Sequence, residues 1–181
     1  MATTTEPRLP LSRDRILQAA LDLVDGAGIE ALTMRKLGQA LGFEAMSLYN
    51  HVANKDDVVD GILDLVLAET ELPSSAGEWA SAIRESAISV HDALRRHPWS
   101  CTLLMSPARI RPARLRYMDL LLQRLREAGF SAESTYHAYH VLDGHILGFS
   151  LWETSHTYTA AEIASAASPA SVRPESFEKS V

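Results

Sequence analysis

The stretch LTMRKLGQALGFEAMSLYNHVANK, residues 32–55, decides how the rest of the chain is read. Thr33 is a good helix N-cap, and Leu37, Ala40 and Leu41 follow at a spacing that turns them to one helical face. Gly42 breaks that helix. A second short helix over about 45–52 turns Leu48 and Val52 inward and leaves Ala45, Met46, Ser47, Tyr49, Asn50 and His51 outward or at the tip. Two short helices joined by a turn containing glycine, and braced by a third helix, make a helix-turn-helix. The second helix is thin and polar outside, as a helix that enters a major groove about 12 Å wide has to be.

Upstream of this stretch, residues 1–11 read as a flexible arm. Ser12 then caps a helix with Asp14 in its first turn, and Ile16, Leu17, Ala20, Leu23, Val24 and Ala27 recur on its inner face. Gly26 and Gly28 end it. Downstream, Asn54 with Asp57 three residues on caps a fourth helix over 55–71. Leu72-Pro73-Ser74-Ser75-Ala76-Gly77 is the one linker-like segment. Longer helices follow: 78–97, stopped by Pro98; a short piece over 99–105; 112–128, with Pro112 in its first turn and Gly129 just past its end; and 131–156, capped by Ser131. Thr159 and Glu162 form a capping box for one more short helix, and the tail over 169–181 is irregular. No strand alternation and no internal repeat occurs. The expected fold is all-α: a three-helix DNA-binding domain over 12–56 and a larger helical ligand-binding and dimerisation domain over 57–168, linked by the fourth helix.

Composition narrows the class. Hydrophobic residues are 46% and charged residues 22% of 181, which is ordinary for a globular protein able to bury a core. The net charge of −6 counts against DNA binding if taken in bulk, but the distribution matters more. Lys and Arg are absent from 56–83 and from 127–172, and gather over 8–55 and 84–126. Cys101 is the single cysteine, so no internal disulfide forms and a reducing, cytoplasmic setting is expected. Charged residues interrupt every apolar run before membrane-spanning length, so no membrane partner is expected. An enzyme is not expected, because no nucleophile elbow, phosphate loop, zinc motif or glycine-rich dinucleotide loop is present.

The residues over 32–42, followed by Ser47-Leu48-Tyr49-Asn50-His51-Val52-Ala53-Asn54-Lys55, resemble the TetR family of transcriptional repressors, and its tetracycline repressor branch in particular. Glu78-Trp79, Ala128-Gly129-Phe130-Ser131, and Gly144-His145 through Glu153 extend the likeness, which covers about 12–157. The resemblance implies a homodimer on double-stranded, pseudo-palindromic operator DNA, released by a small-molecule effector, with no cofactor. It implies DNA contact at Thr33 and Arg35, at Ala45, Met46, Ser47, Tyr49, Asn50 and His51 on the recognition helix, and at Lys55. Arg35 would reach a base edge or a phosphate; Tyr49, His51 and Lys55 would take phosphates. Ala45, Met46 and Asn50 replace the Gln, Pro and Trp of that branch, so base readout differs, and Asn50 has the donor–acceptor pair that reads adenine. The alternative is a helical interaction module that binds no DNA.

The helix over 131–156 is apolar on several faces, through Tyr136, Tyr139, Val141, Leu142, Ile146, Leu147, Phe149, Leu151 and Trp152, so it is expected to be buried on more than one side. By resemblance it contributes to a four-helix dimer interface. The partner helix of that interface has no match over 165–181, so a truncated or altered end is expected there. Candidate effector-pocket residues are the polar or soft groups on apolar helices: His91, Trp99, Met105, Tyr117, Met118, Tyr136, His140 and Asp143. His137, His140 and Asp143 share one face by spacing, but three ligands on one helix rarely close a metal site, and no metal site is expected. Leu104 stands where the resemblance places the histidine that helps hold a drug-bound Mg²⁺, and Glu153 matches a more distant acid. A Mg²⁺–tetracycline effector is therefore not expected.

Overall fold

The computed structural model describes residues 10–73, 77–106 and 112–155. Among them the order is α1 (Arg13–Ala27), a single 3-10 turn (Ile29–Ala31), α2 (Met34–Leu41), α3 (Ala45–Leu48), α4 (Lys55–Ala68), α5 (Trp79–Arg96), α6 (Pro98–Leu104), α7 (Pro112–Glu127) and α8 (Ala132–Ser155). The fold of the described residues is all-α. No helix among them is long and apolar enough to cross a membrane.

The helix starts lie where local chemistry puts them. Ser12 Oγ accepts from Arg15 N, Thr33 Oγ1 from Lys36 N, Asn54 Oδ1 from Asp57 N and Glu78 Oε2 from Ser81 N, each satisfying an end donor that has no partner inside its helix. Pro98 and Pro112 open α6 and α7. Gly42 ends α2 with φ +72°, the left-handed region that glycine enters without strain. Gly38 is needed for a different reason. A Cβ there would lie 2.7 Å from the Phe43 carbonyl oxygen, so a side chain would force α2 and α3 apart.

Three local expectations need correction. The helix at 45–52 is regular only to Leu48; Tyr49, Asn50 and His51 donate three residues back to Met46, Ser47 and Leu48, so the helix tightens and unwinds before the next cap. Ala27 and Ala40 are exposed, while Leu21 is buried in α1, because the core lies around the α1–α4 contact rather than along the whole stripe. The fourth helix stops at Ala68 rather than 71, capped at Glu69. The arm up to residue 9, the box of Thr159 and Glu162 and the tail over 169–181 lie outside the described residues.

Ile16, Leu17, Ala20, Val24, Leu37, Leu48, Val52, Val58 and Ile62 form the core under the first four helices. It continues without a gap into Val66, Val90, Leu94, Cys101, Leu104, Leu121, Leu125, Ile146 and Leu147. The carrier of that continuity is α4. It packs on α1 and also on α5, α6 and α7.

Candidate DNA-reading face and sensing interior

Leu48 and Val52 are buried, and those two anchors aim the rest of the recognition segment outward. Thr33, Arg35, Tyr49, Asn50, His51 and Lys55 are exposed, Ala45 and Ser47 are half-buried, and Met46 at 75% is the most exposed large hydrophobic side chain described. An exposed phenol, amide, imidazole and ammonium over 49–55 supply hydrogen-bond donors of the kind that phosphates and base edges accept. The turn that presents them is held by a pair the sequence did not reveal. Arg13 Nη2 and Nη1 lie 2.6 and 2.9 Å from Asp57 Oδ1 and Oδ2. Arg13 Nη1 also reaches the His51 carbonyl at 3.4 Å, and the Ala53 N–H donates to Asp57 Oδ2 at 2.8 Å. The hydrogen bond to Asp57 pushes the Arg13 guanidinium above its ordinary pKa. These residues stand 44 apart in sequence, and no local pattern links them.

Between α5, α7 and α8 several polar groups are paired with each other. His91 Nδ1 lies 2.9 Å from Ser150 Oγ, and His91 Nε2 lies 3.2 Å from Glu153 Oε2. Arg114 Nη2 spans Asp143 Oδ2 at 2.8 Å and Oδ1 at 3.1 Å. Burial pushes the Tyr117 hydroxyl up to about 12, against the opposing effect of a hydrogen bond with Ser86. Burial, and then the Asp143 charge, raises Tyr139 as well. Of the pocket candidates, His91, Tyr117 and Asp143 thus make contacts between helices here, and Met118 is half-buried beside the core. Trp99 instead donates to Asp25 Oδ1 of α1 at 2.7 Å. Met105, Tyr136 and His140 are exposed. His137, His140 and Asp143 do not converge: the two histidines face out while Asp143 is tied to Arg114. No group of three metal-ligating side chains occurs among the described residues.

Ser86, Arg114, Tyr139 and Ser150 belong to this interior and were not picked out from the sequence. Nothing local marks a serine that meets a histidine 59 residues away. The other side of α8 carries an uncovered apolar face: Val141 at 70% exposure, with Phe149 and Trp152 also exposed, and Gly144 and Gly148 between them.

Comparison with known proteins matches both halves of the chain. Residues 16–62 fit the model of bacterial regulatory proteins, tetR family, and residues 72–178 fit the tetracyclin repressor-like C-terminal domain. HTH-type transcriptional repressor DrrR1 of Streptomyces coeruleorubidus is 31% identical over 78% of this chain and 53% of its own. The chain spans between half and two-thirds of the length of the first curated relatives it matches. Among solved structures, the TetR family protein ActR of Streptomyces coelicolor in complex with actinorhodin superposes with a TM-score of 0.75 at 29% identity, over 87% of this chain and 75% of ActR. BioQ with its double-stranded DNA operator superposes with a TM-score of 0.71 at 26% identity, over 82% and 90%.

Proposed function

The chain belongs to the TetR family of bacterial regulatory proteins, and from that premise we propose that it is a ligand-responsive transcriptional repressor that works in the cytoplasm. As a homodimer it binds a pseudo-palindromic operator through Thr33, Arg35, the outward residues of 45–51 and Lys55. A small-molecule effector releases it. The observation that carries this reading is the recognition segment: two buried anchors, a clamped turn, and donors exposed on one edge. The division into a DNA-binding unit over 12–56 and a regulatory unit over 57–168 rests on the same contrast. BioQ, which was solved on an operator, and ActR, which was solved with actinorhodin, lend support to the two halves of the reading.

The effector enters the interior between α5, α7 and α8, where His91, Tyr117 and Asp143 hold polar groups in pairs that a ligand exchanges for its own. It is an organic molecule rather than a metal chelate, since Leu104 is buried and apolar where a chelate-holding histidine would be needed. The second protomer covers the apolar outer face of α8, because exposed aromatic and aliphatic groups beside small residues suit close helix packing.

Selection of duplexes from random DNA by the purified protein tests the reading. A consensus with a dyad is expected, and Tyr49→Ala is expected to bind it more weakly. Val141→Glu is expected to shift the sedimenting species to a monomer with weakened operator binding. A consensus without a dyad would overturn the homodimer part of the reading, and no selected duplex at all would leave the helical interaction module as the better account.

A further inference from the structure

His97 is an unusual residue for a helix corner. It is the C-cap of α5 and the residue just before α6, its side chain is 9% exposed, and both of its ring nitrogens face carboxylates. Nδ1 lies 2.8 Å from Asp25 Oδ1, on the last turn of α1. Nε2 lies 3.2 Å from Glu69 Oε1, the C-cap of α4. Its neighbours hold the same two carboxylates: Trp99 Nε1 donates to Asp25 at 2.7 Å, and Arg96 Nη2 and Nε donate to Glu69 Oε2 at 2.8 and 3.2 Å. One corner of the regulatory helices thus grips the far ends of the two helices that frame the DNA-reading unit. Those two helices are closely packed: a Cβ at Gly61 of α4 would lie 2.5 Å from the Leu17 side chain of α1.

We propose that His97, gripping Asp25 and Glu69, is a positioning residue for operator binding: it sets the angle at which α1 and α4 carry the recognition segment. This rests on the dimeric repressor reading above. The physical reason is directionality. Apolar burial holds the two units together but tolerates sliding, whereas hydrogen bonds to charged groups weaken steeply with angle. A neutral imidazole donates to one carboxylate and an imidazolium to both, so the ring is the element that ties the two helix ends together. The leverage is large. A 14-residue α4 is about 21 Å long, so a tilt of about 5° at Glu69 displaces Lys55 by about 2 Å. In a dimer both recognition segments move, and the spacing between them changes.

The test is discrimination of half-site spacing, measured with a duplex selected by the wild-type protein and with the same duplex carrying one base pair inserted at the dyad. That insertion moves one half-site by about 3.4 Å and about 35°. The wild type prefers the selected spacing. His97→Ala is expected to reduce that preference by about tenfold, the scale set by one charge-assisted hydrogen bond. His97→Gln, which keeps one N–H donor, falls between the two. The double variant Asp25→Asn with Glu69→Gln leaves the buried ring unaltered and is expected to reduce the preference at least as much as His97→Ala, because it also weakens the bonds from Trp99 and Arg96; its added charge cancels in the ratio because both duplexes bear the same phosphates. Circular dichroism confirms that each variant is folded. A preference unchanged within about twofold in the folded double variant would overturn the joint while leaving the repressor reading intact. Failure of the wild type to select any dyad would overturn the repressor reading, and this proposal with it.

Discussion

The two halves of the molecule treat their polar groups in opposite ways. In the DNA-reading unit they are exposed on one edge: Arg35, Tyr49, Asn50, His51 and Lys55 stand out from a small core, and only the frame behind them is tied down, by Arg13 and Asp57. In the regulatory unit several polar groups lie between helices and are paired with each other: His91 with Ser150, Arg114 with Asp143, Tyr117 with Ser86. A surface that meets a large charged partner keeps its donors solvated until contact, since water satisfies them at little cost. Between packed helices water is scarce, and each orphaned donor costs roughly 1–3 kcal/mol, which favours such pairs. On the proposed reading, these pairs stand in for the ligand's groups, and binding would be an exchange.

The largest expected effect tests whether the halves are separable at all. Leu48 is fully buried beneath the recognition segment, so Leu48→Ala is expected to cost about 2–5 kcal/mol. All three tryptophans, Trp79, Trp99 and Trp152, lie in the regulatory half. In urea, the circular dichroism midpoint of this variant is expected to fall further than the tryptophan fluorescence midpoint. Equal shifts would mean that the continuous core makes one cooperative body, and the contrast would then be chemical rather than mechanical.

A smaller effect probes the pre-paired interior. Tyr117 titrates near 12 in the folded protein against about 10 when unfolded. Between those values the unfolded chain has lost a proton that the folded chain keeps, so stability falls as pH rises from about 10 to about 12, by at most about 3 kcal/mol. Tyr117→Phe is expected to flatten that part of the stability–pH curve. An unchanged slope would mean that the hydroxyl is solvated rather than enclosed. The smallest effect belongs to the exposed edge. Lys55→Ala is expected to weaken binding equally on selected and random duplexes and to lower the salt slope by roughly one unit. A loss confined to the selected duplex would make Lys55 a base reader.

Much of the DNA-reading unit was readable because its determinants are local. Ser12, Thr33 and Asn54 cap helices through their own neighbours three residues on, and Gly42 permits a left-handed turn that other residues resist. The anchors Leu48 and Val52 follow from spacing alone. Even here the end of α3 was misjudged, because the switch to three-residue hydrogen bonds after Leu48 leaves no mark in residue type.

The regulatory half resisted for the same reason in reverse. Trp99, Met105, Tyr136 and His140 have the chemistry of pocket residues, yet Trp99 meets α1, and the other three are exposed. Which way a side chain on an apolar helix points is set by the neighbours that cover it, and those arrive from 29, 59 or 74 residues away. The chain's own pattern thus specifies caps, breaks and the family motif, whose determinants lie close together in sequence. The Arg13–Asp57 clamp, the His97 joint and the choice of which side of α8 stays uncovered depend on how helices stack, because directional bonds between distant residues exist only once nonspecific burial has brought them together.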